Sequence, residues 1–210
     1  MGFLSDLMRE GVQRVFLFTG SYGLAIIIVT LIIRTVLLPF TLAQTRSTAK
    51  MNALQPEQQA LQKKYKNDSQ RLNQEQMELW KRHGVNPLSG CLLLLVQFPF
   101  LIAFFQALNN FDVLADATFL GIVLGEPNRI VLPLLAGVTT YFQVKVSSPQ
   151  AAGGQGSQGA MQVGIPLLIG WMSSRFPAAL ALYWITSNIF SVAERFLVPR
   201  NTPAKEADSK

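Results

Sequence analysis

Residues 22–42, YGLAIIIVTLIIRTVLLPFTL, decide how this chain is read, because an apolar run of that length carries one arginine, Arg34, near its middle. An α-helix rises about 1.5 Å per residue, so about 20 apolar residues cross a hydrocarbon core of roughly 30 Å. Arg34 then sits about as far from water as the segment allows. On insertion scales an arginine at that depth costs about 2.5 to 3.5 kcal/mol. Two arrangements relieve the cost: a side chain that snorkels to an interface, or a water-filled cavity between helices. The second makes Arg34 a functional-site residue.

Composition agrees with a membrane domain. Half of the 210 residues are hydrophobic, 14% are charged and the mean hydropathy is +0.28, more apolar than an ordinary soluble domain of this size. The net charge of +6 and the pI near 9.7 do not come from a Lys/Arg block interleaved with aromatics, so no specific nucleic-acid site is expected. In a membrane protein the same excess sets topology. The single cysteine, Cys91, excludes an internal disulfide, and the single histidine, His83, beside Gly84, reads as a helix-end residue rather than a metal ligand. Residues 1–20 lack the pattern of a secretory signal, and no lipid-modified cysteine lies near the start.

From the first residues onward, 3–18 form an amphipathic helix with Leu4, Leu7, Met8, Val12, Val15 and Phe16 at spacings of three and four, expected to lie in the membrane interface. The first span is 22–43. Residues 44–86 carry eight Lys/Arg against four acids, which assigns them to the cytoplasm. The apolar seam from Met51 through Leu54, Leu61 and Tyr65, with a turn at Asn67, Asp68 and Ser69, predicts two antiparallel helices of about 20 residues each. The second span is 87–108, with Gln97 as its polar exception. The 109–128 connection has three acids and no Lys or Arg, so it belongs outside, and its apolar residues predict that it rests on the membrane. Spans three to five are 129–146, 161–174 and 178–198. A flexible Gly/Ser/Gln linker at 147–160 precedes the fourth, and a tight turn at Arg175, Phe176 and Pro177 makes the last two a helical hairpin. Residues 199–210 read as a disordered cytoplasmic tail.

The expected fold is therefore all-α, with five transmembrane helices, the amino terminus outside and the carboxyl terminus inside. Polar residues within the spans are Thr30 and Arg34, one turn apart, Gln97, Thr139 and Gln143, and then Thr186, Ser187, Asn188 and Ser191 with Trp184 one turn earlier. A wet cavity lined by Arg34 and small polar groups accounts for them, although Ser and Thr can also bond their own helix backbone. No catalytic set, phosphate loop or metal cluster is present in the sequence, so an enzyme is not expected and no cofactor is called for. A coupled carrier would be expected to show intramembrane acids and repeated halves, and neither is seen.

The stretches VTLIIRTVLLPF, NPLSGCLLLLVQFPF and FPAALALYWITSN resemble the YidC family of membrane protein insertases, which has mitochondrial and chloroplast relatives. The resemblance covers nearly the whole chain in order. It implies five helices around a hydrophilic groove open to the cytoplasm and to lipid, in the bacterial inner membrane. It also implies a substrate groove of Arg34, with Gln143 from the third span, Trp184 from the fifth and Thr30 on the groove side; Ser187 and Gln97 are added as polar residues within the spans, Gln97 facing either the groove or a helix contact. Nascent membrane proteins and the lipid bilayer would be the partners, with the Sec translocon, a ribosome or a targeting factor met through 44–86. The short tail departs from the long basic tails of some relatives. The start departs too, lacking the large outer domain of some members and the lipid-modified cysteine of others, as a minimal or trimmed member would. The competing expectation is a small anion transporter or channel that uses Arg34 for selection.

Overall fold

A computed structural model of the chain describes residues 2–85, 98, 101–107, 112–147 and 157–197. The first helix, α1 (Gly2–Thr19), buries Met8 and Val12 against α2 (Tyr22–Ala53) and leaves Phe3, Leu7, Leu17 and Phe18 exposed. The reversal between them is made by Gly20 at φ +65°, a conformation open to glycine without a Cβ penalty, and is clasped by Phe16 stacked on Tyr22 at 3.9 Å. Within α2 the stretch Tyr22–Ser47 is long and apolar enough to cross a membrane, and most of its apolar surface faces outward, with Ile32 and Val36 more than half exposed. Pro39 lies inside α2 without ending it.

Residues 44–53 continue α2, so the expected 20-residue arms of the hairpin are not what is found. The arms are α3 (Gln55–Lys64) and α4 (Ser69–Arg82), 10 and 14 residues long. Pro56 is the reason. Its ring nitrogen cannot donate to the turn before it, so the helix breaks at Leu54 and restarts with proline in its first turn. Asp68 caps α4 by accepting from the Arg71 N–H at 3.0 Å, and the Tyr65 hydroxyl donates to Glu75 Oε1 at 3.1 Å across the pair. His83 closes α4, with Nδ1 3.0 Å from the Leu79 carbonyl.

A helical stretch, α5 (101–107), places Ala103, Phe104 and Ala107 in the principal core beside Ala25 and Ile26 of α2 and Tyr183 of α8 (Ala178–Leu197). The connection that follows was expected to lie on the membrane. Part of it turns inward, while Val113 and Leu120 stay exposed. Leu114 and Leu124 are 2% and 1% exposed, and the two short strands β1 (Thr118–Phe119) and β2 (Ile122–Val123) reverse through Leu120 and Gly121. Both turn residues have positive φ, as a two-residue hairpin of this twist requires. Phe119 then lies over Gly23 so closely that a side chain there would overlap its ring. The carbonyls of Glu126 and Leu124 accept from the first N–H groups of α8, at 2.9 and 3.0 Å, satisfying donors that a helix start leaves open.

The remaining helices are α6 (Val131–Ser147) and α7 (Ser157–Ser173), so the last four residues of the expected 147–160 linker are helical. Asn128 Oδ1 caps α6 by accepting from Ile130 and Leu132 N–H. The turn after α7 is as tight as expected, but α7 and α8 do not form a packed hairpin. The sixth helix lies between them and packs extensively on both, while α7 and α8 barely touch. Small residues explain the preference, since Gly137 of α6 meets Gly170 of α7 and lets the backbones approach. Pairings at both ends show that α2, α6 and α8 run in one direction from the 112–126 end. Gln97 and the 199–210 tail lie outside the described residues.

Candidate functional site

Three polar residues of α2 share a face. Thr30, Arg34 and Thr41 are separated by four and seven residues, one and two helical turns. On the parallel helix α8, Tyr183, Ser187 and Glu194 show the same spacing. Thr41 Oγ1 donates to Glu194 Oε1 at 2.6 Å, which fixes the register. Carried back along both helices, that register sets Arg34 level with Ser187 and Thr30 level with Tyr183. Arg34 is half-buried and within electrostatic reach of both Tyr183 and Glu194, as this alignment requires.

These groups have different surroundings. Thr30 is 1% exposed and its hydroxyl donates to the Ile26 carbonyl at 2.6 Å, so its polarity is spent on its own helix. Tyr183 is buried and stacked on Phe104 with ring centres 4.4 Å apart. Ser187 is buried, and among the described residues its Oγ has no hydrogen-bond partner. Glu194 is 7% exposed. An acid in the last turns of a helix, beside Arg195, reads as solvated in the sequence until α2 is seen packed over it.

A second polar cluster lies about a quarter-turn around α8. Trp184 Nε1 is 3.1 Å from Thr140 Oγ1 of α6, and the Asn188 amide is 2.9 Å from the same hydroxyl. Because an indole nitrogen only donates, the Asn188 oxygen faces the cluster and accepts from Trp184 Nε1 at 3.2 Å. Nearer the end of both helices, Arg195 Nε donates to the Val146 carbonyl in the last turn of α6. Gln143, half-buried, lies one turn beyond Thr139 and Thr140 on α6. The opposite flank of Trp184 lines an apolar cavity of about 220 Å³ with Leu101, Phe105, Met172, Phe176 and Leu180.

The sequence-derived residues therefore fall into two groups. Arg34, Thr30 and Ser187 belong to the α2–α8 seam, whereas Trp184 and Gln143 belong to the α6–α8 side. Glu194 and Thr41 join the first group from outside the expected set. The spacing of Ser187 to Glu194, two turns along one face, was the signal available for Glu194. Among the described residues no group of His, Cys, Asp and Glu could hold a metal ion. What the seam offers is a cation, a buried carboxylate and a buried hydroxyl in one strip between apolar helices.

Residues 15–206 match the family of the 60Kd inner membrane protein. The chain is 44% identical over 188 residues to membrane protein insertase YidC 2 of Bacillus anthracis, covering 87% of this chain and 73% of that protein. It is 42% identical to membrane protein insertase YidC of Clostridium tetani, covering 86% and 82%, and 42% identical to membrane protein insertase MisCA of Bacillus subtilis, covering 91% and 76%. Among solved structures, a crystal structure of active YidC insertase with its first transmembrane domain resolved superposes with a TM-score of 0.75 at 25% identity. The match covers 93% of this chain, which spans about half of that one, 46%.

Proposed function

Because the chain belongs to the family of the 60Kd inner membrane protein, the membrane protein insertases, we propose that it inserts nascent membrane proteins by receiving a short polar segment in a hydrophilic groove beside Arg34. The hydrophobic segment of the client then passes to lipid. The observation that carries this reading is a cation near the middle of a 26-residue apolar span, Tyr22–Ser47, facing a polar strip of α8.

The work is physical, with no covalent step. A client carboxylate about 4 Å from the guanidinium is attracted by about 1 kcal/mol in bulk water and by about 4 kcal/mol at an effective dielectric constant of 20, so a partly dried groove strengthens the attraction. Release of the apolar segment is driven by about 0.8 kcal/mol per CH₂ taken from water. The buried Ser187 hydroxyl at the level of Arg34 gives the polar segment a further partner. Gln143 and Trp184 wall the other side of α8, and Gln97 is grouped with them as the polar residue of the second span.

In this reading five spans cross the inner membrane: α2, the 87–108 segment containing α5, α6, α7 and α8. The shared direction of α2, α6 and α8 supports alternate crossings. The basic α3–α4 pair lies in the cytoplasm with the carboxyl terminus, the amino terminus is outside, and α1 rests in the interface on its exposed Phe3, Leu7, Leu17 and Phe18. The α3–α4 pair catches clients or meets a targeting factor, the ribosome or the Sec translocon. The anion-channel alternative gains nothing from relatives that carry insertase names.

The test is protease protection of single-span clients synthesised with liposomes, with and without the purified chain. Protection that needs the chain, and that falls in Arg34→Ala for an acidic translocated segment but much less in Arg34→Lys, supports the proposal. Equal loss in both variants for an uncharged segment would remove the charge attraction, and no protection for any client would remove the insertase reading.

A further inference from the structure

Glu194 is a buried charge that the insertion reading leaves unused. Its carboxylate accepts from Thr41 at 2.6 Å, and although the Thr41 hydroxyl also lies 3.0 Å from the Leu38 carbonyl, it has one proton to give. The shorter, charge-assisted contact takes it. A carboxylate that is 7% exposed needs a cation nearby to offset its lost hydration. Arg34, two turns along the same face of α2, is within electrostatic reach. The unpartnered Ser187 hydroxyl lies at the level of Arg34.

We propose that Glu194 sets the charge selectivity of the groove: held by Thr41 two turns from Arg34, it offsets part of the positive potential of Arg34, and so moderates the pull of Arg34 on an acidic client segment. The inference rests on Arg34 being the cation that meets the client. Acidic segments then gain only the attraction that Glu194 leaves, and basic segments are tolerated because Glu194 compensates them. A groove with Arg34 alone would favour acidic clients far more strongly.

The experiment uses three clients that differ only in an acidic, uncharged or basic translocated segment, scored by protease protection in liposomes with the full chain. Glu194→Gln keeps the acceptor for Thr41 and removes the charge. The expected result is a rise of about fivefold in the acidic-to-basic insertion ratio, the low end of typical coupling between two sites, with the uncharged client unchanged. Adding Arg34→Gln should abolish the rise. Thr41→Val, which keeps the charge but frees the carboxylate to swing toward Arg34, should lower the ratio, and this variant carries the test if Glu194→Gln does not accumulate. An unchanged ratio in Glu194→Gln, acidic and basic clients changing together, or an unchanged or raised ratio in Thr41→Val overturns the inference. Arg34→Gln alone separates the two readings. If it spares the acidic client, the groove proposal has failed; if it impairs that client selectively while Glu194→Gln leaves the ratio unchanged, only the role of Glu194 has failed.

Discussion

Replacing Gly23 with alanine should dislodge the 112–126 loop from the end of the helix bundle. A Cβ on Gly23 would lie 2.6 Å from Phe119 Cβ and closer still to Cγ and Cδ2 of the ring. Carbon atoms rest at about 3.5 to 4.0 Å, so Phe119 has to retreat by about 1 Å or more. The ring belongs to a two-residue strand whose turn places Leu120 and Gly121 at positive φ, and the same loop seats Leu114 and Leu124 in the core. Overpacking of this kind costs about 1 to 3 kcal/mol, against a gain of at most about 1 kcal/mol for removing a helical glycine. A net loss of about 1 to 2 kcal/mol is expected. The assay is SDS titration of the purified protein in mixed micelles, with protease cleavage within 112–126 as the local readout. In a Phe119→Gly background both the ring and the Cβ that obstruct it are gone, so Gly23→Ala should cost nothing, a coupling at least as large as its own cost. The same cost in both backgrounds, or an unaltered loop in the single variant, would refute the steric account.

Three further outcomes are expected. Gly170→Val should weaken the α6–α7 contact by about 1 to 3 kcal/mol in the same titration, with Gly170→Ala at the low end, because a Cβ there meets the Pro133 carbonyl at 3.1 Å and Gly137 Cα at 3.6 Å. Asn188→Leu removes the amide shared with Thr140 and Trp184 and should cost about 0.6 kcal/mol, up to about 1.7, the range measured for hydrogen bonds between membrane helices. Asp68→Ala should cost the α3–α4 pair about 0.5 to 2 kcal/mol and be seen as faster amide exchange at Arg71 and Leu72, with no change at α6.

The limits of α1, α6 and α8 lie within two residues of those read from the sequence because apolar length and flanking charge are local properties. Arg34 stood out for the same reason, as one charge in an otherwise apolar run. Glu194 did not, since an acid beside Arg195 near the end of a span looks solvated, and its burial depends on Thr41, 153 residues away. The break at Pro56 was hidden because the seam of Leu54, Leu61 and Tyr65 continues through it. Adjacency in the chain also misled: the three-residue turn at 175–177 suggested that α7 and α8 pair, whereas the small-residue contact of Gly137 with Gly170 draws α7 onto α6. The 112–126 loop looked surface-bound because its apolar residues show no period, and nothing local separates the buried Leu114 from the exposed Leu120.

The 153-residue separation between Thr41 and Glu194 has a consequence for synthesis. Contacts close in sequence, such as α1 on α2 and α6 on α7, are available soon after their residues leave the ribosome, while the seam between α2 and α8 closes only after the last helix has been made. Until then Arg34 has no α8 beside it. The strip proposed to receive clients is thus the final part of the molecule to assemble, and a chain stopped just before α8 would hold seven of the eight described helices but only the α2 half of that strip.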